Sequence, residues 1–237
     1  MSETPEFGLP LLAASQAQKH VTVNEALLRL DALFGGRVRS ASLTEPPSVA
    51  EEGSCYLVAP GASGEWAGHD GALAIRINGG WDIVLPRPGW SVLDDETGRR
   101  MSFDGSAWRP DAQLISSGGA ATLHRILETD HVLSPGPSSA VTAAIPAGSQ
   151  VLGVSARVIE AITGTATSWS LGVTESPDRY GSGLGVALNS FASGLTGTPV
   201  SYYADTDLIL TANGGDFAGG TVRIAVHLVQ IEPPRMV

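Results

Sequence analysis

Lysine is almost absent from this chain: of its 14 basic residues only Lys19 is a lysine, against 24 Asp and Glu, for a formal net charge of −10. So acidic a chain repels a phosphate backbone at long range. Its arginines are scattered and form no stripe, so no nucleic acid is expected as a partner. Cysteine is as scarce. Cys55 stands alone, which excludes an intrachain disulfide framework; a lone cysteine is more often a small buried hydrophobe than a catalytic thiol. Aromatics make up only 6%, so the core must be mainly aliphatic. No apolar run approaches the ~20 residues that span a bilayer, and no membrane insertion is expected. Residues 1–7 carry no basic segment, so no secretory signal is expected.

Glycine is what the chain does have, 29 residues of it, with much Ser, Thr and Ala. That composition suggests short strands and tight turns. One stretch departs from it. Residues 1–12 hold Pro5 and Pro10, show no periodicity, and suggest an extended arm that gains order only from a partner. Beyond it, Ser15 with Gln18 and Thr22 with Glu25 fit two capping boxes. Val23, Ala26, Leu27, Leu30, Leu33 and Phe34 then recur at helical spacing, and Gly35–Gly36 close the pattern as a C-cap does. The spacing predicts a helix over 23–34, with a looser turn at 16–20. Asn24, Glu25, Arg29 and Asp31 fall on its wetter side. Such a short helix is marginal alone, so its apolar stripe must pack on its own chain or on a neighbouring copy.

Residues 37–52, with Pro46 and Pro47, suggest a linker. From 53 to 110 short apolar runs alternate with turn signals. "INGGW" (Ile77–Trp81) and "FDGSAW" (Phe103–Trp108) echo each other, and their Asn-Gly and Asp-Gly pairs suit hairpin turns. This segment is expected to form a small β meander. Residues 111–120, "DAQLISSGGA", suggest a hinge. Candidate strands follow at 121–128, 139–145, 150–162, 166–174, 184–189, 199–203, 207–212 and 221–231, the signature of a sandwich or jelly roll. The fold class is thus mainly β: an arm and short amphipathic helix (1–36), a small meander (37–110), a hinge, and an antiparallel jelly-roll-like sandwich (121–237).

Chemistry is harder to find. The five histidines share no metal-ligand spacing. "GSGLG" (Gly181–Gly185) lacks the rest of a phosphate loop and suggests a flexible loop. No nucleophile elbow is present. Asp94, Asp95 and Glu96, or Asp205 and Asp207, offer the paired carboxyls a glycosidase needs, but solvated turn residues are the plainer reading. The latter pair could also offer oxygen to Ca²⁺, without an EF-hand spacing. Trp66, Trp81, Trp90 and Trp108 are expected in the meander's core, and Trp169 in the sandwich's. Tyr180, Tyr202 and Tyr203 are placed in or beside loops, where they could stack on sugar rings. No catalytic residue, metal or cofactor is expected.

"LPLLAASQAQKHVTVNEALLRLDAL" resembles the leading motif of a phage-related family of unknown-function domains, found in tail-fibre-like proteins of bacteriophages and in gene transfer agents of alphaproteobacteria. The match runs through Gln16, Gln18, Lys19, Asn24, Glu25, Leu27 and Leu30. "GGWDIVLPRPGW" (Gly79–Trp90) resembles that family's second block. His20 departs from it, standing where an acidic residue is often seen. The resemblance implies a virion component, a head spike or fibre made in the cytoplasm and displayed on the particle surface. It implies capsid protein, a second spike protein and cell-surface polysaccharide as partners. Copies would assemble as a homo-oligomer, a pentamer at a capsid vertex ahead of a trimer. The residues just named would then serve oligomerisation and attachment. The alternatives are a capsule-degrading glycan hydrolase and a pure adaptor that holds a separate fibre.

Overall fold

The computed structural model describes residues 3–13 and 19–236, with Lys19 and His20 described by backbone alone. The chain divides into two compact units, Met1–Ser117 and Gly118–Val237. The boundary falls inside the segment expected as a hinge.

In the first unit the helix α1 runs Lys19–Gly35. It ends as expected, with Gly36 at φ +59°, the left-handed step that satisfies a helix C-terminus. It starts earlier than expected. Thr22 lies inside the helix, so its capping box does not form; Glu25 accepts a hydrogen bond from Asn78 Nδ2 instead. The other box, Ser15 with Gln18, lies outside the described residues. Eight short strands follow: β1 (Arg37–Val38), β2 (Cys55–Leu57), β3 (Leu73–Ile77), β4 (Gly80–Val84), β5 (Ser91–Asp94), β6 (Arg100–Phe103), β7 (Trp108–Pro110) and β8 (Ala112–Ile115). Seven of them, all but β8, build two small sheets, β2–β3–β4 and β1–β5–β6–β7. Asn78 (φ 51°) and Gly79 (φ 73°) turn β3 into β4, the paired positive φ of a two-residue hairpin.

The β2–β3–β4 sheet is covered on both faces. Cys55, Leu57, Leu73 and Ile75 pack with Ala32 of the helix and with Val38 and Val92. On the other face Tyr56 and Ala74 meet Trp66. Trp66 and Trp81 cross nearly edge-to-face, centroids 5.0 Å apart, an arrangement favoured by the ring quadrupoles. Helix and strands therefore share one core, and residues 1–36 do not stand apart from the meander. Nor is 37–52 a linker. It contains β1, and the carbonyls of Ser40 and Leu43 accept from Leu57 N (3.0 Å) and Ala59 N (2.9 Å). Pro46 and Pro47 hide that pairing from a sequence reading. Likewise β8 occupies the expected hinge.

The second unit has eight strands: β9 (Ala121–Val132), β10 (Ser138–Ile145), β11 (Ser149–Gly164), β12 (Ser168–Val173), β13 (Ser176–Leu184), β14 (Phe191–Tyr202), β15 (Thr206–Asn213) and β16 (Phe217–Glu232). They lie side by side as β10–β15–β12–β13 and as β14–β11–β16–β9, every pair among them antiparallel. Successive strands mostly alternate between the two sheets, a jelly-roll arrangement. Val151, Val154, Val222, Ile224 and Leu228 from one inner face meet Trp169, Leu171, Leu208 and Leu210 from the other. The sequence misplaced two strands. Residues 185–189 lie beyond the end of β13, and most of "GSGLG" is strand, not loop. β14 reaches back to Phe191 through a Gly- and Thr-rich stretch that looks like turn. Those glycines answer to packing: a Cβ on Gly194 would stand 2.1 Å from the Tyr180 carbonyl oxygen, so β13 and β14 approach more closely there than any side chain permits.

Gly194→Ala should therefore lower the unfolding free energy by about 2–3 kcal/mol, as overpacking does. Gly197→Ala, on the same strand with nothing within 4 Å, should change it by less than about 0.5 kcal/mol. Chemical denaturation of the two variants measures the difference.

Candidate attachment site

Asp31 organises one end of the first unit. Expected on the wetter side of the helix, it is 1% exposed. A buried carboxylate is tolerable only when hydrogen-bonded, and the arm supplies the donors. Thr4 Oγ1 donates to Oδ1 at 2.6 Å; the amides of Glu6 and Phe7 donate to Oδ2 and Oδ1 at 2.9 Å. Thr4 Oγ1 in turn accepts from Leu9 N at 2.9 Å, closing the arm into a loop. Further along, Asn24 acts as a surrogate backbone: it accepts from Leu12 N at 2.9 Å and donates to Leu12 O at 3.0 Å. Pro5 fills the space beside Gly53, where a Cβ would lie 2.7 Å from its Cγ. The arm thus takes its order from its own helix, not from a partner.

The helix gives each flank a different task. Leu28 and Ala32 face the core. Asn24 and Asp31 hold the arm. Val23, Leu27, Leu30 and Phe34, at steps of four, three and four, form a seam that the chain leaves largely uncovered; Leu30 is 56% and Phe34 77% exposed. Phe7, held by Asp31, lies 5.7 Å from Phe34 between ring centroids, so the arm widens this apolar face. The expected stripe exists, yet it is not what packs on the protein's own core. Gln16 and Gln18 lie outside the described residues, as does the side chain of Lys19.

The fourth flank, Thr22, Glu25, Ala26 and Arg29, faces the β3–β4 hairpin across a cavity of about 520 Å³ whose other wall is Ile77, Asn78, Gly80, Trp81 and Asp82. Arg29 Nη1 pairs with Asp82 Oδ2 at 3.3 Å, and Arg76 Cζ lies 5.2 Å from the centroid of the Trp81 ring. Glu52 fastens the hairpin tip, accepting from the amides of Asn78 (2.8 Å) and Gly79 (2.7 Å). This site was not foreseen, because no local motif ties helix to hairpin.

The acidic clusters are structural struts. Asp94 accepts from Thr97 Oγ1 at 2.6 Å. Asp95 pairs with Arg37 at 2.7 Å and Arg39 at 3.2 Å. Glu96 accepts from the hydroxyls of Ser40 and Ser42, which hold its carboxyl below the usual range. Asp205 accepts from the turn amide of Ala147 and Asp207 from the amide of Ala143 within β10. Among the described residues no three His, Cys, Asp or Glu gather where a metal ion would sit. Burial pushes the Cys55 thiol up to about 12, away from the reactive thiolate. The tyrosines divide. Tyr180 lies on β13, 2% exposed, and its hydroxyl shares a 2.7 Å hydrogen bond with that of Tyr202; burial first, then that bond, raises its pKa. It is not a loop residue open to a glycan. Tyr203 alone of the three stands clear, 91% exposed.

Residues 23–109 match the model of a family described as "Protein of unknown function (DUF2793)". No curated protein matches the chain. Among solved structures, a chain of the cyanophage Pam1 capsid asymmetric unit is similar over 54% of this chain and 97% of its own, at 23% identity and a TM-score of 0.37, too slight a likeness to define the fold. No helix among the described residues is long and apolar enough to cross a membrane.

Asp31→Ala should remove three hydrogen bonds to a charged acceptor and cost about 3 kcal/mol. It should also open the arm to limited proteolysis within residues 3–13, while the helix and the second unit resist as in the wild type.

Proposed function

We propose that this chain is a non-enzymatic structural protein of a phage-like particle, a capsid spike whose first unit joins copies of itself and the capsid. The observation that carries this reading is the uncovered seam Val23–Leu27–Leu30–Phe34. Its four-three-four spacing suits knobs-into-holes packing against a second helix, and no charged side chain interrupts it. For a chain of net charge −10, an uncharged face is where identical copies approach with least repulsion. A symmetric ring makes that contact repeatedly, and five copies suit a capsid vertex. The seam lies inside the stretch that matches the family model, and the sequence blocks around it resemble those of phage and gene-transfer-agent fibres. The sandwich would then meet the polysaccharide of recipient cells, where several weak contacts reinforce one another.

A second reading, an adaptor that holds a separate fibre without touching glycan, draws support from the burial of Tyr180, which removes one of the three tyrosines proposed to contact sugar.

Leu30→Asp combined with Phe34→Asp should reduce the mass measured by light scattering from an oligomer to a monomer. Particles assembled with this variant should lack the chain. Wild-type mass and normal incorporation in the double variant would refute the reading.

A further inference from the structure

The first unit holds an open apolar groove of about 520 Å³, and no residue of the arm or of α1 lines it. One wall is the end of β2 and the loop after it, with Leu57 and Pro60; the other is the inner face of β6 and β7. Met101 and Phe103 stand two residues apart on β6 and so point the same way. Phe103 is paired with Trp108 across to β7, and the two rings lie 5.3 Å apart between centroids. Trp108 Nε1 donates to the carbonyl of Gly71 at 2.8 Å, which holds the ring at the groove. Pro86 and the exposed Leu85 continue the apolar lining.

We propose that this groove receives the Phe7–Phe34 pair of a second copy. The proposal rests on the reading that the seam joins copies, and it makes the groove, in place of a second helix, the receiver of the seam's end. Among the described residues, Phe7 and Phe34 are the aromatic side chains of the first unit that stand exposed. The bond from the Phe7 amide to Asp31 sets Phe7 beside Phe34 before any partner arrives, so less ordering is left to oppose binding. An apolar cavity of about 150 Å³ takes up benzene, so about 520 Å³ has room for two phenyl rings. Phe103 and Trp108 offer those rings edge-to-face partners. The charges agree as well. Glu3 places its carboxylate beside Gly8, next to Phe7. Arg87 stands exposed between Pro86 and Pro88, both of which line the groove. Neither has an ion-pair partner among the described residues, and the contact brings their opposite signs together. The aromatic knob and the groove share no residue, so the contact is head-to-tail, the kind that closes into rings.

Light scattering on two full-length variants and their mixture tests this. Ala107→Arg sets a long charged side chain at the groove from an exposed turn position and leaves the knob intact. Leu30→Asp with Phe34→Asp removes the knob and leaves the groove intact. Each variant should self-associate at least a hundredfold more weakly and be monomeric. Mixed in equal amounts, the two should form a 1:1 pair and nothing larger, because one intact knob then meets one intact groove. A full-size oligomer from Ala107→Arg, or a mixture that stays monomeric, would overturn the proposal, and the seam reading would survive so long as the double variant is monomeric. Wild-type mass in the double variant would remove the seam reading and this contact together.

Discussion

The hydrogen bonds from the arm to Asp31 are the constraint on which the first unit depends. A carboxylate on the inner side of a helix is costly unless donors reach it. Here one hydroxyl and two backbone amides do so, all from residues 4–7. Ordering a proline-bearing arm costs conformational entropy at every residue, and these charge-assisted bonds offset part of that cost. The consequence reaches the surface. With its backbone fixed at Asp31, Phe7 is held against Phe34, and the apolar face of the helix becomes a two-element surface.

A single helix thus serves three neighbours and leaves one flank open. Leu28 and Ala32 serve the core, Asn24 and Asp31 the arm, and Glu25 and Arg29 the hairpin, while Leu30 and Phe34 stay largely exposed, Phe34 meeting Phe7 of the arm. The periodic pattern of Val23, Leu27, Leu30 and Phe34 was legible, and so was the glycine that ends the helix. Which side faces inward was not. Periodicity finds a stripe but does not say who covers it, and the most apolar stripe proved to be the one turned outward. Asp31 shows why: a buried acid looks like a surface acid until its donors are known, and those lie more than twenty positions away.

The sandwich was easier, since β11 and β16 alternate in the plain period of a half-buried strand and pair along their length. Its errors fell on β13 and β14, where glycine stands for close backbone approach, as at Gly194, and reads as turn. Tyr180 was misjudged for the same reason: Gly181 and Gly183 beside it suggested a loop. The cavity beside Trp81 was invisible because its walls come from segments joined only by tertiary contacts.

Amide hydrogen exchange at Glu6 and Phe7 tests the central claim most directly. If Asp31 holds the arm, these two amides exchange slowly in the wild type, in step with the helix, although their neighbours are polar and close to the surface. If they exchange at the rate of an unstructured peptide while the helix stays protected, the arm is not held by Asp31 and the account of the first unit is wrong.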